Sequence, residues 1–236
     1  GAYRLSPNFR AHASLGTATQ TPTVVEYFGY TGYSLPNFNL KPEKSRGGEI
    51  GLLIESNNKN HSLDVTYFAR NVKDPISDQA LPGTCFTTSW GTSCTYQSMN
   101  MHGTSKIRGI ELVYNGKLSD KLTSYANYTY TGTKDSQDKQ LIRRPKHTAN
   151  AGLNYQITEQ LGSSINVSYV GKRIDNNRDR YRMPSYTLVN LGVNYQLTQN
   201  LNIYANLNNV FNKKYENIVG YGQDGRNVYV GLKGSF

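Results

Sequence analysis

The sequence predicts an all-β chain that forms the wall of an antiparallel transmembrane β-barrel, and three observations carry that prediction. The first is strict alternation. Val189, Leu191, Val193, Tyr195 and Leu197 alternate with Asn190, Gly192, Asn194 and Gln196. Leu201, Ile203, Ala205 and Leu207 alternate with Asn202, Tyr204, Asn206 and Asn208. Val228, Val230, Leu232 and Phe236 alternate with Asn227, Tyr229, Gly231, Lys233 and Ser235. Period two puts one set on each face of a sheet, and an aliphatic face opposite an Asn- and Gln-rich one suits lipid outside and a wet lumen inside.

The second observation is the connections. Strands are expected near 9–16, 48–55, 61–72, 105–115, 121–131, 147–156, 161–170, 185–197, 201–210 and 226–236. Short turns (56–60, 115–120, 157–160 and 198–200) alternate with long linkers (17–47, 73–104, 132–146, 171–184 and 211–225). Outer-membrane barrels sort their connections this way, short on the periplasmic side and long outside, whereas a soluble sandwich has no reason to. The third is composition. The 236 residues include 19 Tyr and 22 Gly, with no run of 18 apolar residues that would make a transmembrane helix.

Ala2 to Leu5 followed by Ser6-Pro7-Asn8 reads as the end of one strand and a turn into the next. No charged, apolar leader precedes it, so a secretion signal is expected upstream or already removed. Ten strands opened here would leave two unpaired edges, which lipid does not tolerate, so the expectation is that further strands belong to the same barrel. The alternative is a self-closed ten-stranded barrel acting as a rim protease or adhesin, with residues 9–16 paired to 226–236 and Asp74, Asp78 and His102 at its rim.

The motifs resemble a family. Asn39-Leu40-Lys41-Pro42-Glu43, Ile107-Arg108-Gly109-Ile110-Glu111, Asn208 to Tyr215 (Asn-Asn-Val-Phe-Asn-Lys-Lys-Tyr) and Gly225-Arg226 before the last strand are similar, in order and spacing, to segments of TonB-dependent outer-membrane receptors. The resemblance covers essentially the whole chain. One departure is Gly234, where an aromatic often stands two places before the terminal Phe. What the resemblance implies is an outer-membrane transporter and not an enzyme. It implies a 22-stranded barrel, of which residues 1–236 supply about the last ten strands. The remaining strands, the plug and the segment contacting TonB lie elsewhere. It implies Phe236 as the signal for barrel assembly. The expected partners are those strands and plug, TonB, the outer membrane with its lipopolysaccharide, and a small metal chelate, with no cofactor.

Catalytic motifs are lacking: His12, His61, His102 and His147 show no metal spacing, and there is no nucleophile elbow or phosphate loop. Cys85 and Cys94 share one long linker and are expected as a disulfide, worth roughly 2.5–3 kcal/mol to a ten-residue ring. The net charge of +10 finds no basic helix or aromatic platform for nucleic acid. It gathers instead in linkers carrying Lys134, Lys139, Arg143, Arg144 and Lys146, then Lys172, Arg173, Arg178, Arg180 and Arg182. These cations would focus an anionic ligand into the mouth or meet lipopolysaccharide phosphates. Tyr27, Phe28, Tyr30, Tyr33 and Phe38 in the first long linker, with Trp90 and Tyr96 beside the cysteines, offer apolar faces for stacking. The order of expected ligands is ferric siderophore, cobalamin, then another metal complex. Haem and zinc rank lower, because haem receptors of the family it resembles carry a Phe-Arg-Ala-Pro motif with a histidine shortly after it, whereas Thr19 to Thr23 stand there and no histidine follows before Asn39.

Overall fold

The computed structural model describes residues 1–88, 91–176 and 181–235, and eleven of its strands form one sheet. They are β1 (Ala2–Ser6), β2 (Phe9–Gln20), β3 (Glu43–Glu55), β4 (His61–Lys73), β5 (Thr104–Lys117) and β6 (Leu122–Lys134). β7 (His147–Gln156), β8 (Leu161–Val170), β9 (Tyr186–Thr198), β10 (Leu201–Asn208) and β11 (Asn227–Gly234) follow. Each pairs antiparallel with the strand before it, so sheet order is chain order. All ten expected strands are present, and the strand end expected at Ala2 to Leu5 is an eleventh, Ala2–Ser6. β1 and β11 are the sheet's edges and do not pair with each other, so the closure expected of a self-contained ten-stranded barrel is not found.

Several strands run further toward the long linkers than predicted. β2 continues to Gln20 and β3 starts at Glu43, because the alternation carries on through Thr17, Thr19, Lys44 and Arg46 after the apolar signal stops. At the opposite end the connections are tight. Asn8 there donates to the Glu55 carbonyl and to the Asn57 side chain, both at 2.8 Å. In the turn after β5, the Lys117 ammonium lies 2.6 Å from Asp120. Its hydrogen bond, then its charge, hold that exposed carboxyl below the ordinary carboxylate range.

Register decides which side chains share a face. Phe9, Ile54, Leu63, Tyr114, Ala126, Ala151, Val167 and Val189 form one continuous cross-strand row. Ile165, Leu191, Leu207 and Val228 continue a second. Every such residue lies on the same side of the wall, where side chains are half-exposed along the middle strands and most exposed on the edge strand, Val230 at 72% and Leu232 at 67%. Among the described residues the buried apolar side chains are Leu40, Ile174 and Met183, all of them in long linkers. The wall therefore has no core of its own. Its apolar face requires lipid, as the alternation predicts.

The other face carries Arg10, Asp64, Asn127, Asn150 and Ser168 in one row. Here rings and polar groups lie flat along the wall. Tyr125 lies across Gly152, where a β-carbon would come within 2.6 Å of the ring, and its hydroxyl accepts a 2.8 Å hydrogen bond from Asn166 two strands away. Likewise His12 reaches Asp64 at 3.1 Å by passing over Gly51, where a β-carbon would collide with the imidazole.

The face assignment is testable. Leu191→Arg, on the lipid side, should destabilise the barrel by about 2–4 kcal/mol in urea unfolding from vesicles. Asn206→Arg, on the lumen side of the next strand, should cost little; equal losses would overturn the assignment.

Candidate ligand-binding mouth

The long linkers gather at one end of the wall and fold into small elements that the sequence reading left as loops. In the first, Thr23 and Glu26 form a capping box: the Glu26 carboxylate accepts from the Thr23 N–H at 2.6 Å and the Thr23 hydroxyl accepts from the Glu26 N–H at 3.3 Å. This starts a single helical turn, Val24–Phe28, which ends at Gly29 with φ of 71°. The turn sets Tyr27 and Phe28 beside Phe38, with Phe28 and Phe38 edge to face at 5.6 Å. Tyr27 is anchored, its hydroxyl donating to the Leu40 carbonyl at 3.2 Å. Phe28 and Phe38 stay open to solvent, as do Tyr30 and Tyr33, whose rings lie 5.8 Å apart.

The second long linker docks onto the first. Ser34–Leu35 pairs parallel with Tyr96–Asn100, which also pairs with Ile76–Ala80. The Tyr96 N–H donates to the Tyr33 carbonyl at 3.1 Å. Asn100 accepts from the Lys41 N–H and donates to the Lys41 carbonyl, both at 2.8 Å. Cys85 and Cys94 are joined by a disulfide. The bond extends by one rung the hairpin in which Phe86 faces Ser93. The aromatic segment and the disulfide segment are thus one body, which sequence spacing did not reveal. Asn37, Pro36 and Asn100, which stitch it together, carried no signal beyond being turn residues.

The arginines divide. Arg144 is exposed and has no ion pair among the described residues. Arg143 donates from Nε to Asp175 at 3.2 Å, and that aspartate is buried. Arg173 is only 5% exposed. Its Nη2 donates to the Glu216 and Asn217 carbonyls at 2.5 and 3.2 Å, and its guanidinium lies 5.6 Å from the Tyr186 ring centre. Arg173 was expected on the surface of the mouth with the other cations. The structure corrects that: a guanidinium whose donors are aimed at two carbonyls joins the linkers 171–185 and 209–226 to each other. Trp90, Arg178, Arg180 and Phe236 lie outside the described residues.

Nothing here assembles a reaction centre among the described residues. The Asp78 carboxylate accepts from the Ser98 hydroxyl at 2.6 Å and the Asp74 N–H donates to the Gly103 carbonyl, while no hydrogen bond links either to His102. The described residues contain no group of three or more His, Cys, Asp or Glu able to hold a metal. What the mouth offers is a cluster of solvent-facing aromatic rings held by a cross-linked frame, with free cations beside it.

Residues 1–210 match the TonB dependent receptor-like β-barrel family. The chain is 29% identical over its full length to the iron-regulated outer membrane virulence protein of Vibrio cholerae serotype O1. It is also 29% identical, over 91% of its length, to the vitamin B12 transporter BtuB of Photobacterium profundum. It spans 38% and 33% of those two relatives. Its fold matches a mutant of the ferric enterobactin receptor of Pseudomonas aeruginosa with a TM-score of 0.77 at 21% identity, covering all of this chain and 39% of that one. The copper transporter OprC matches with a TM-score of 0.80 at 22% identity, again over all of this chain and 38% of that one. The fold, the lipid-facing wall and the outer-membrane location agree with this family.

Cys85→Ser should remove roughly 2.5–3 kcal/mol of support from the 85–94 ring. Limited proteolysis should then nick that segment while the wall keeps its resistance to heat in detergent. Nicking at the same rate with and without the bond would show that strand pairing alone holds the segment.

Proposed function

Because the chain belongs to the TonB-dependent receptor β-barrel family, we propose that it forms part of the wall and mouth of an outer-membrane importer that takes up a small metal chelate with energy delivered through TonB. A ferric siderophore is the first choice of cargo and cobalamin the second. In this reading the long linkers face outward, and further strands of the same receptor pair with β1 and β11, whose bare edges hydrocarbon would not tolerate. A plug fills the lumen and makes the contact with TonB.

The observation that carries the proposal is the mouth itself. Phe28, Tyr30, Tyr33 and Phe38 are large and exposed, yet they sit on a segment tied down by backbone pairing, side-chain hydrogen bonds and, through Tyr96, the disulfide hairpin. Exposed rings on a rigid frame bind a flat or aromatic chelate at small entropic cost, because few side-chain torsions need to be fixed. Arg144, and Arg143 where Asp175 leaves its other donors free, add positive charge for an anionic iron complex. Relatives named as a vitamin B12 transporter and a metal-pseudopaline receptor fit the same class of cargo, and another is named as iron-regulated.

The test uses the full receptor in cells. Replacing Phe28, Tyr30 and Tyr33 together by Ala should weaken chelate binding roughly ten- to two-thousandfold, at about 0.5–1.5 kcal/mol per aromatic contact, without changing receptor abundance. Uptake of radiolabelled ferric siderophores and of cyanocobalamin, each with and without the gene, identifies the cargo. Unchanged uptake of both on deletion would sink the transport reading.

A further inference from the structure

The lumen face of the wall is divided by charge. On β2–β5 the register places Arg10, Glu49, Asp64, Arg70 and Glu111 toward the lumen. Among the described residues, Arg10, Glu49, Arg70 and Glu111 make no ion pair. On β6–β11 the same register leaves a single Asp, Glu, Lys, Arg or His at a lumen position, Lys233, which lies next to the tight-turn end. Amides and hydroxyls stand there instead, among them Asn127, Asn150, Asn166, Asn190, Asn206 and Ser168. Neighbours in this set already exchange hydrogen bonds: the Ser168 hydroxyl donates to the Asn150 side chain at 2.7 Å.

The uncharged sector is also smooth. Glycine occupies a lumen position on four of its strands, at Gly152, Gly162, Gly192 and Gly231. Tyr204 lies across Gly231 as Tyr125 lies across Gly152, so both rings follow the wall instead of projecting into the lumen. At the mouth end the sector opens on a cavity of about 420 Å³ whose lining includes Asn190, Asn208, Asn209, Gln223 and Asn227. A passage must hold its cargo firmly enough to replace water and loosely enough to let it go. Hydrogen bonds to ionised groups are roughly twice as strong as neutral ones, so fixed charges in a narrow lumen retain what they touch. Asparagine both donates and accepts. With neighbours about 4.8 Å away across the ladder and about 6.7 Å away along each strand, a bond broken to one amide is remade to the next. A surface packed against a stationary partner has no reason to exclude charge from β6–β11 when β2–β5 carry it.

We propose that the lumen face of β6–β11 lines the passage along which the cargo descends from the mouth, while the plug stays held against the charged face of β2–β5. The proposal rests on the transport reading above, but not on which chelate is carried. It concerns a different surface from the mouth: the rings of Phe28, Tyr30 and Tyr33 capture, whereas the amide sector conducts.

The experiment uses the full receptor in living cells and a membrane-impermeant maleimide as the probe. The described residues hold no free cysteine, and the unaltered receptor gives the blank. Cells receive ferric enterobactin and cyanocobalamin together, with or without a protonophore. Asn150→Cys and Ser164→Cys, both on the uncharged sector, should label roughly tenfold faster in the energised cells, because a minor open state is populated about 10% or less at rest. Ser14→Cys, on the charged face where the Ser14 hydroxyl donates to Glu49 at 3.1 Å, should label at one slow rate in both. Ser164→Cys is nearly isosteric, so the result does not depend on Asn150→Cys folding. Acceleration at Ser14→Cys alone would put the passage on the charged sector and overturn the proposal. Equal acceleration at all three would mean that the plug leaves the lumen whole, and would overturn it too. So would acceleration at none while the variants still take up either chelate. Uptake by the unaltered receptor is measured in the same cells. Its absence for both chelates would sink the transport reading itself, an outcome that no thiol rate can mimic.

Discussion

Hydrocarbon offers no hydrogen bonds, and the rest of this structure depends on that constraint. Each unpaired amide in the apolar layer costs several kcal/mol, so a chain crossing it as strands must pair every one sideways. The eleven strands here pair in simple chain order, leaving only the outer edges of β1 and β11 bare, with shifts in register only next to tight turns, between Arg4 and Ser6 and between Gln196 and Thr198. Once the ladder carries the stability, a buried core is unnecessary. The wall has none, and the side chains that a soluble protein would hide, Val230 and Leu232 among them, stand bare on its outer face. Irregular structure is then possible only beyond the layer, which is why the capped turn, the disulfide hairpin and the short paired segments all lie in the long linkers.

The same constraint explains which parts of the fold were legible in the sequence. A lipid face and a wet face must alternate along every strand, so Val189 to Leu197 announces itself without any structural information. Strand ends were less legible. Lys44 and Arg46 continue the alternation of β3 with charged outward residues, and a reading based on hydrophobicity stops at Gly48. Ala2–Ser6 was visible only as a strand end, because five residues with three apolar ones hold too little periodic signal. The capping box at Thr23 and Glu26 was available as a motif, yet the helix it opens is only five residues long.

The mouth was legible in composition and illegible in assembly. Tyr27, Phe28, Tyr30 and Tyr33 could be picked out as an aromatic loop, and Cys85 with Cys94 as a pair within one linker. That Ser34–Leu35 adds as a parallel strand to Tyr96–Asn100 depends on a contact across some sixty residues, for which local sequence holds no cue. Arg173 shows the limit most clearly. Its neighbours made it one cation in a basic run, but burial and the carbonyls of Glu216 and Asn217 decide its role, and both come from a linker more than forty residues away.

Charge on this chain is therefore three separate quantities, although the net value of +10 adds them together. Inside the lumen, charges are spaced, and Asp64 lies 3.1 Å from the His12 imidazole. In the linkers some cations are spent on structure, Arg173 wholly and Arg143 in part, and others stay free. On the outer wall they are clustered, and among the described residues only Lys134 of them has an ion-pair partner, Asp138. The strands insulate these regions from each other, because successive side chains point to opposite faces and a change on one leaves the backbone pairing of both intact. A wall stabilised by its ladder can thus carry a lipid contact on one face and line a ligand path on the other. The two surfaces are free to differ because neither supplies the hydrogen bonds that hold the barrel together.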